Sequence, residues 1–189
     1  MGMPALDLSR RWTRAEVLAL PDDGNRYELV DGELLVSGTP RPLHQIAVQE
    51  LNEVLRPYVR EHGVGMLMAL PADLDLSSDH IVQPDLWVAA MPPGGRIRRW
   101  EDVGIPLLVI EVLSPKTANF DRVKKRLRYQ NAGVAQYWIV DLDARVVEIW
   151  TPDADRPEIA VATLTWQPSP SVPALEFDLP ALFKAIDEA

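Results

Sequence analysis

The sequence predicts an α/β domain built on a mixed β-sheet flanked by helices. Three observations predict it. Helical and extended stretches alternate along the 189 residues in the order helix, strands, helix, strands, helix, strands, the pattern of a sheet covered by helices. Seven of the eight residues from Pro106 to Leu113 are apolar or proline, a short run bounded by Gly104 and Pro115. Such a run reads as a strand buried on both faces. Finally, Asp31-Gly32 between two short extended stretches marks a two-residue hairpin turn.

Taken in order, residues 1–12 read as a loose end and 13–189 as a single domain. Thr13 and Glu16 form a capping box, so a short helix opens there and stops at Pro21. Strands at 26–30 and 33–37 flank the Asp-Gly turn. From Pro42 to His62, Ile46, Leu51, Val54, Leu55 and Val59 recur on one side of a helix. Pro57 lies inside it and predicts a kink or an early stop. Strands follow at 65–70, 73–76 and 86–90, then a Pro/Gly loop at 91–95. Ser114-Pro115 ends the buried strand, and 119–132 reads as a helix closed by Gly133. A hairpin spans 134–140 and 145–150, a strand covers 159–166, and a short helix at 180–186 closes the chain. The six tryptophans, Trp87, Trp138 and Trp150 among them, are expected in the core.

Composition narrows the function classes. No apolar run approaches the roughly 18 residues of a membrane span, and residues 1–12 lack the apolar segment of a signal peptide. There are no cysteines, which excludes disulfides, thiolate zinc sites and cysteine nucleophiles and suits a cytoplasmic protein. Three scattered histidines argue against a histidine-based zinc site, so any metal would be held mostly by oxygen. The net charge of -9 is unlike that of a protein that coats nucleic acid. Nine of the nineteen lysines and arginines nevertheless fall within 96–128, bracketing the buried strand.

Glu111 is the one charged residue in that strand. An unpaired carboxylate there would cost several kcal/mol, so it needs a cation, a metal ion or a proton opposite it. In the following helix, Phe120, Val123 and Leu127 form an apolar stripe. Asp121, Lys125, Tyr129 and Ala132 form a second, with Lys124 and Arg128 between them. Lys124 and Lys125 can both reach Glu111. Asp85 follows Pro84 at the start of another apolar strand. If that strand neighbours the Glu111 strand, the two carboxylates can converge on one divalent ion, with a lysine beside them to orient water. Taken singly, each has a plainer reading: Glu111 as half of a structural ion pair, Asp85 as a turn residue, Lys125 as a solvated helix charge.

Pro84-Asp85, Glu111-Val112-Leu113 and Lys125 together resemble the PD-(D/E)XK nuclease superfamily, in the variant whose lysine has moved to the next helix. More narrowly, the chain resembles the bacterial Uma-type restriction endonuclease family. The resembling stretches are YELVDGE (27–33), the Pro42-x-His44 helix start, VQPDL (82–86) and EVLSPKT (111–117). Further on come Asp121-x-x-x-Lys125-x-x-x-Tyr129, GVAQYWIVD (133–141) and PALEFDL (173–179). The resemblance implies a restriction-endonuclease-like sheet and a metal-dependent endonuclease acting on DNA. Asp85 and Glu111 would hold Mg2+ or Mn2+ with help from the Val112 carbonyl, and Lys125 would be the catalytic lysine. Glu33, His44, Lys124 and Tyr129 are secondary candidates, and Arg96, Arg98, Arg99 and Lys116 candidates for contacting nucleic acid. Leu113 stands at the superfamily's usual lysine position, and Gln136 where the family often has Glu. The acidic total charge favours a homodimer or a partner that completes the cleft. An inactive nuclease-fold binding module and a phosphodiesterase acting on RNA are the alternatives.

Overall fold

The computed structural model describes residues 6–69, 72–74, 80–92, 94–115 and 117–189. Backbone contacts divide the chain into two compact units, 1–40 with 72–83 and 41–71 with 84–189.

In the smaller unit, Thr13 caps helix α1 (Arg14–Leu18) and Glu16 returns the bond to the Thr13 backbone, completing the predicted capping box. Strands β1 (Arg26–Val30) and β2 (Glu33–Ser37) pair antiparallel. Asp31 and Gly32 between them both have positive φ, 55° and 76°, as a two-residue turn matched to strand twist requires. Leu29 exchanges two backbone hydrogen bonds with Ile81. Trp12, Val17, Leu29, Leu34 and Ile81 bury their side chains together, so Trp12, in the stretch read as a loose end, is part of this core. Of the strand expected at 73–76, Leu74 bridges Val82, and residues 75–79 lie outside the described residues, as does Leu70.

The larger unit holds a six-stranded mixed sheet. Its strands are β3 (Gly65–Met68), β4 (Leu86–Ala90), β5 (Pro106–Val112), β6 (Gln136–Asp141), β7 (Val146–Trp150) and β8 (Glu158–Ala160), in that spatial order. All pairs are antiparallel except β5–β6. A parallel pair needs a crossover, and residues 113–135 provide it. Leu86, Val88, Leu108, Ile110, Val112, Trp138 and Val140 share one buried cluster with helices α2 (Pro42–Glu61) and α4 (Leu179–Glu188). Alternation turns Val109, Glu111 and Tyr137 to the other face, where the crossover packs. Strands β9 (Thr163–Trp166) and β10 (Leu175–Asp178) form a separate two-stranded sheet.

The structure corrects four expectations. Helix α2 runs through Pro57. Leu51, Leu55, Tyr58 and Val59 are buried on both sides of the proline, each such side chain contributing roughly 1.5–3 kcal/mol, and Pro57 itself is exposed. The strand expected over 159–166 is two strands, because β8 pairs with β7 while β9 pairs with β10. The helix expected over 119–132 opens as a π-helix, Phe120–Lys125, before continuing as α3 (Arg126–Asn131). Its buried side carries Asp121, Lys125 and Tyr129, whereas Val123 and Leu127 of the apolar stripe are 43% and 44% exposed. Lastly, Trp12, Trp87, Trp138, Trp150 and Trp166 are buried, but Trp100 is 58% exposed; it sits on a single 3-10 turn, Trp100–Asp102, outside any strand.

Candidate active site

Strands β4 and β5 are neighbours, as a shared site requires. Their register pairs Leu86 with Ile110, and continued by one residue it brings Asp85 opposite Glu111. Asp85 Oδ2 accepts a 2.9 Å hydrogen bond from the Val112 backbone N–H. His44, in the first turn of α2, places Nε2 3.1 Å from Asp85 Oδ1. The neighbouring strand therefore orients one oxygen of Asp85, and the other faces the imidazole at the helix start without a hydrogen bond from His44 Nε2.

Glu111 is 3% exposed, and its partner is a cation from the crossover. Lys125 Nζ donates to Glu111 Oε1 at 2.9 Å and lies 3.2 Å from Asp121 Oδ1. The Tyr129 hydroxyl also donates to Glu111 Oε1, at 3.1 Å. Spacings of four residues from 121 to 125 to 129 put all three side chains on one side of the crossover helix. The wheel left Lys124 and Lys125 level as partners of Glu111; the ammonium on Glu111 is that of Lys125, while Lys124 is half-buried.

Behind the carboxylates lies a hydroxyl chain. Thr117 Oγ1 donates to Asp121 Oδ2 at 2.7 Å, and Ser114 Oγ lies 3.0 Å from Thr117 Oγ1. The Tyr137 hydroxyl donates to the Asp121 carbonyl at 3.3 Å, and its ring packs 4.7 Å from that of Tyr129. Burial first, and then the charges of Glu111 and Asp121, push the Tyr137 phenol well above its ordinary range, so it stays neutral. Asp121 was not among the residues predicted for the site. An aspartate opening a helix reads as a first-turn acid; only its four-residue spacing to Lys125 hinted at more.

The structure thus gathers Asp85, His44, Glu111, Lys125 and Tyr129, and adds Asp121. Glu33 belongs to β2 of the smaller unit, where it is exposed. Of the basic candidates, three lie apart from these carboxylates within the larger unit. Arg96, Arg98 and Arg99 are exposed on the β4–β5 connection, where the Arg98 and Arg99 backbone N–H groups bond Asp102 at 3.0 Å. That connection meets β5 at Pro106, five residues or about 16 Å of strand from Glu111. Lys116 lies outside the described residues.

The donor set suits a hard divalent cation. The residues gathered include three carboxylates, those of Asp85, Glu111 and Asp121, against one ammonium, that of Lys125. Among the described residues no three histidine or acidic side chains converge as a ready-made metal cage. Mg2+ does not require one, since it usually binds through one or two carboxylates together with water and substrate phosphates. Among the described residues no helix is long and apolar enough to cross a membrane.

The fold has a solved counterpart. A crystal structure described as that of a putative nuclease belonging to DUF820, from Anabaena variabilis ATCC 29413, superposes with a TM-score of 0.74 at 20% identity. The match covers 93% of this chain and 99% of that one. No curated protein matches the chain. The Uma2 family model, described as "Putative restriction endonuclease", matches residues 14–181. The six-stranded mixed sheet flanked by helices is a restriction-endonuclease-like fold, and this chain belongs to the Uma2 family of putative restriction endonucleases.

Proposed function

We propose that the protein is a metal-dependent endonuclease that hydrolyses DNA phosphodiester bonds. The observation that carries the reading is the meeting of Asp85, Glu111 and Lys125 from two adjacent strands and the crossover helix. Asp85 and Glu111 would hold Mg2+ or Mn2+, which supplies Lewis acidity toward a phosphoryl oxygen and toward water. The Val112 N–H orients the Asp85 carboxylate, with the His44 imidazole beside it, and the Tyr129 hydroxyl donates to Glu111. Lys125 carries the positive charge of the site. That charge would orient the attacking water and stabilise charge developing on the phosphoryl group.

The net charge of -9 weakens DNA binding by one copy and makes it salt-sensitive, which favours action as a homodimer or with a partner. The absence of cysteine suits the cytoplasm. The test is a cleavage assay on supercoiled, linear and branched DNA with Mg2+ or Mn2+, run beside Asp85→Ala. Cleavage by the wild type alone is the expected result. Equal cleavage by both proteins would sink the reading, and cleavage of RNA alone would move it to the ribonucleases.

A further inference from the structure

We propose that Asp121 is a positioning residue: the carboxylate that takes over Lys125 when Glu111 turns toward a divalent cation. The inference rests on the metal-dependent reading above and assigns a role to a residue which that reading does not use.

A buried ammonium needs one counter-charge. Lys125 has two, at 2.9 Å and 3.2 Å, and the side chains of Lys125, Glu111 and Asp121 are 3%, 4% and 3% exposed. A second buried carboxylate beside a satisfied ion pair adds repulsion and desolvation, an arrangement that lasts only if it is compensated. Asp121 is nevertheless held firmly. Thr117 Oγ1 binds its Oδ2 at 2.7 Å and is itself met by Ser114 Oγ, while Oδ1 is the oxygen nearest Lys125. The π-helical turn of Phe120–Lys125 contains both residues, and such turns recur at functional sites.

Lys125 and a divalent cation therefore compete for Glu111, and Asp121 settles the competition by giving the ammonium somewhere else to go. Asp121 helps the cation without ligating it. The two single variants must then move cation affinity in opposite directions. Asp121→Asn leaves Lys125 to Glu111 alone and should weaken Mn2+ binding by about threefold or more. Lys125→Met removes the competitor and should tighten binding by a similar factor, although cleavage is lost.

The experiment is calorimetric titration of the full chain with MnCl2, without DNA, on wild type, D121N, D121E, K125M and the D121N/K125M double variant. Melting curves in chelator establish that each variant is folded. Opposite shifts in the single variants are expected. Wild-type affinity in D121E, which keeps the charge, and a double variant that binds like K125M are expected too. Equal Mn2+ affinity in wild type and D121N would overturn the proposal and leave the nuclease reading standing. A double variant binding more weakly than K125M would also overturn it, because Asp121 would then be a ligand. If D121N does not fold, D121E and the double variant decide by the same criteria. A wild type that neither binds Mn2+ nor cleaves DNA would overturn the nuclease reading itself.

Discussion

Two clusters on the same helical segment, three residues apart, have the same stoichiometry and opposite characters. Arg122 lies between Asp141 and Glu148, with Nε and a terminal nitrogen each donating at 2.7 Å. Lys125 lies between Glu111 and Asp121. The arginine side chain is 38% exposed and the lysine 3%. A guanidinium is a rigid planar fork, and its two bonds here fix a direction; an ammonium is a compact charge with three rotatable donors. The first cluster is a clip, tying the crossover to the end of β6 at Asp141 and the middle of β7 at Glu148. The second keeps one negative charge in excess in a dry place. Equal numbers of charges thus make an exposed fastening in one case and a buried cluster in the other, and burial and the geometry of the cation distinguish them.

That contrast can be broken experimentally. The largest effect should be on chemistry: Lys125→Met or Glu111→Gln should lower DNA cleavage about a hundredfold or more, whereas Arg122→Gln should leave cleavage within a small factor of wild type, as measured on supercoiled plasmid. Comparable losses from both would abolish the distinction between clip and site. Stability comes next. Removing one partner of a fully buried pair costs about 3–5 kcal/mol, so Lys125→Met should melt well below wild type. The half-exposed Arg122 is screened by solvent, and Arg122→Gln should cost about 1 kcal/mol or less.

Alkaline pH probes the buried side. The folded-state value of Tyr137 is raised by burial and by Glu111 and Asp121. Its contribution to stability is therefore complete below the unfolded tyrosine value of about 10 and lost as pH rises beyond it. Ultraviolet titration should show Tyr137 ionising only as the protein unfolds, and Tyr137→Phe should flatten the fall of melting temperature above pH 10. The smallest effect belongs to the exposed side. Burial raises Asp141, but the Ala144 N–H and Arg122 outweigh it and hold its carboxyl below the ordinary value. That contribution is present above pH 4 and lost as pH falls through the lower folded value. Asp141→Asn should flatten the acid limb of a melting-temperature profile, by less than Tyr137→Phe flattens the alkaline one.

What was legible in the sequence was whatever local chemistry decides. Asp31-Gly32 dictates its own turn, the Thr13–Glu16 box its own helix start, and an acid in an apolar strand announces that a partner exists. Where a long-range contact decides, the sequence was silent or misleading. Val161-Ala162 carries no Gly or Pro to mark the point at which the chain leaves one sheet for another. Pro57 looked like a stop because the packing that carries α2 past it comes from distant residues. Helix propensity gives no sign of the π turn at Phe120–Lys125, so Asp121 read as a routine helix-opening acid and Val123 and Leu127 as the buried stripe. Trp100 is apolar by type, and only its place on a loop exposes it.

The parallel pairing of β5 with β6 has a kinetic side. These strands can join only after the chain between them has closed back on the sheet, a non-local step whose entropy cost precedes its reward. Lys125 rides on that closing segment and Glu111 on the strand it returns to, fourteen residues earlier. Closing the crossover and forming the buried Lys125–Glu111 pair are therefore one event in the folding of the larger unit. A chain in which β5 and β6 have paired has also brought Lys125 to Glu111, so the buried ion pair forms with the sheet and not before it.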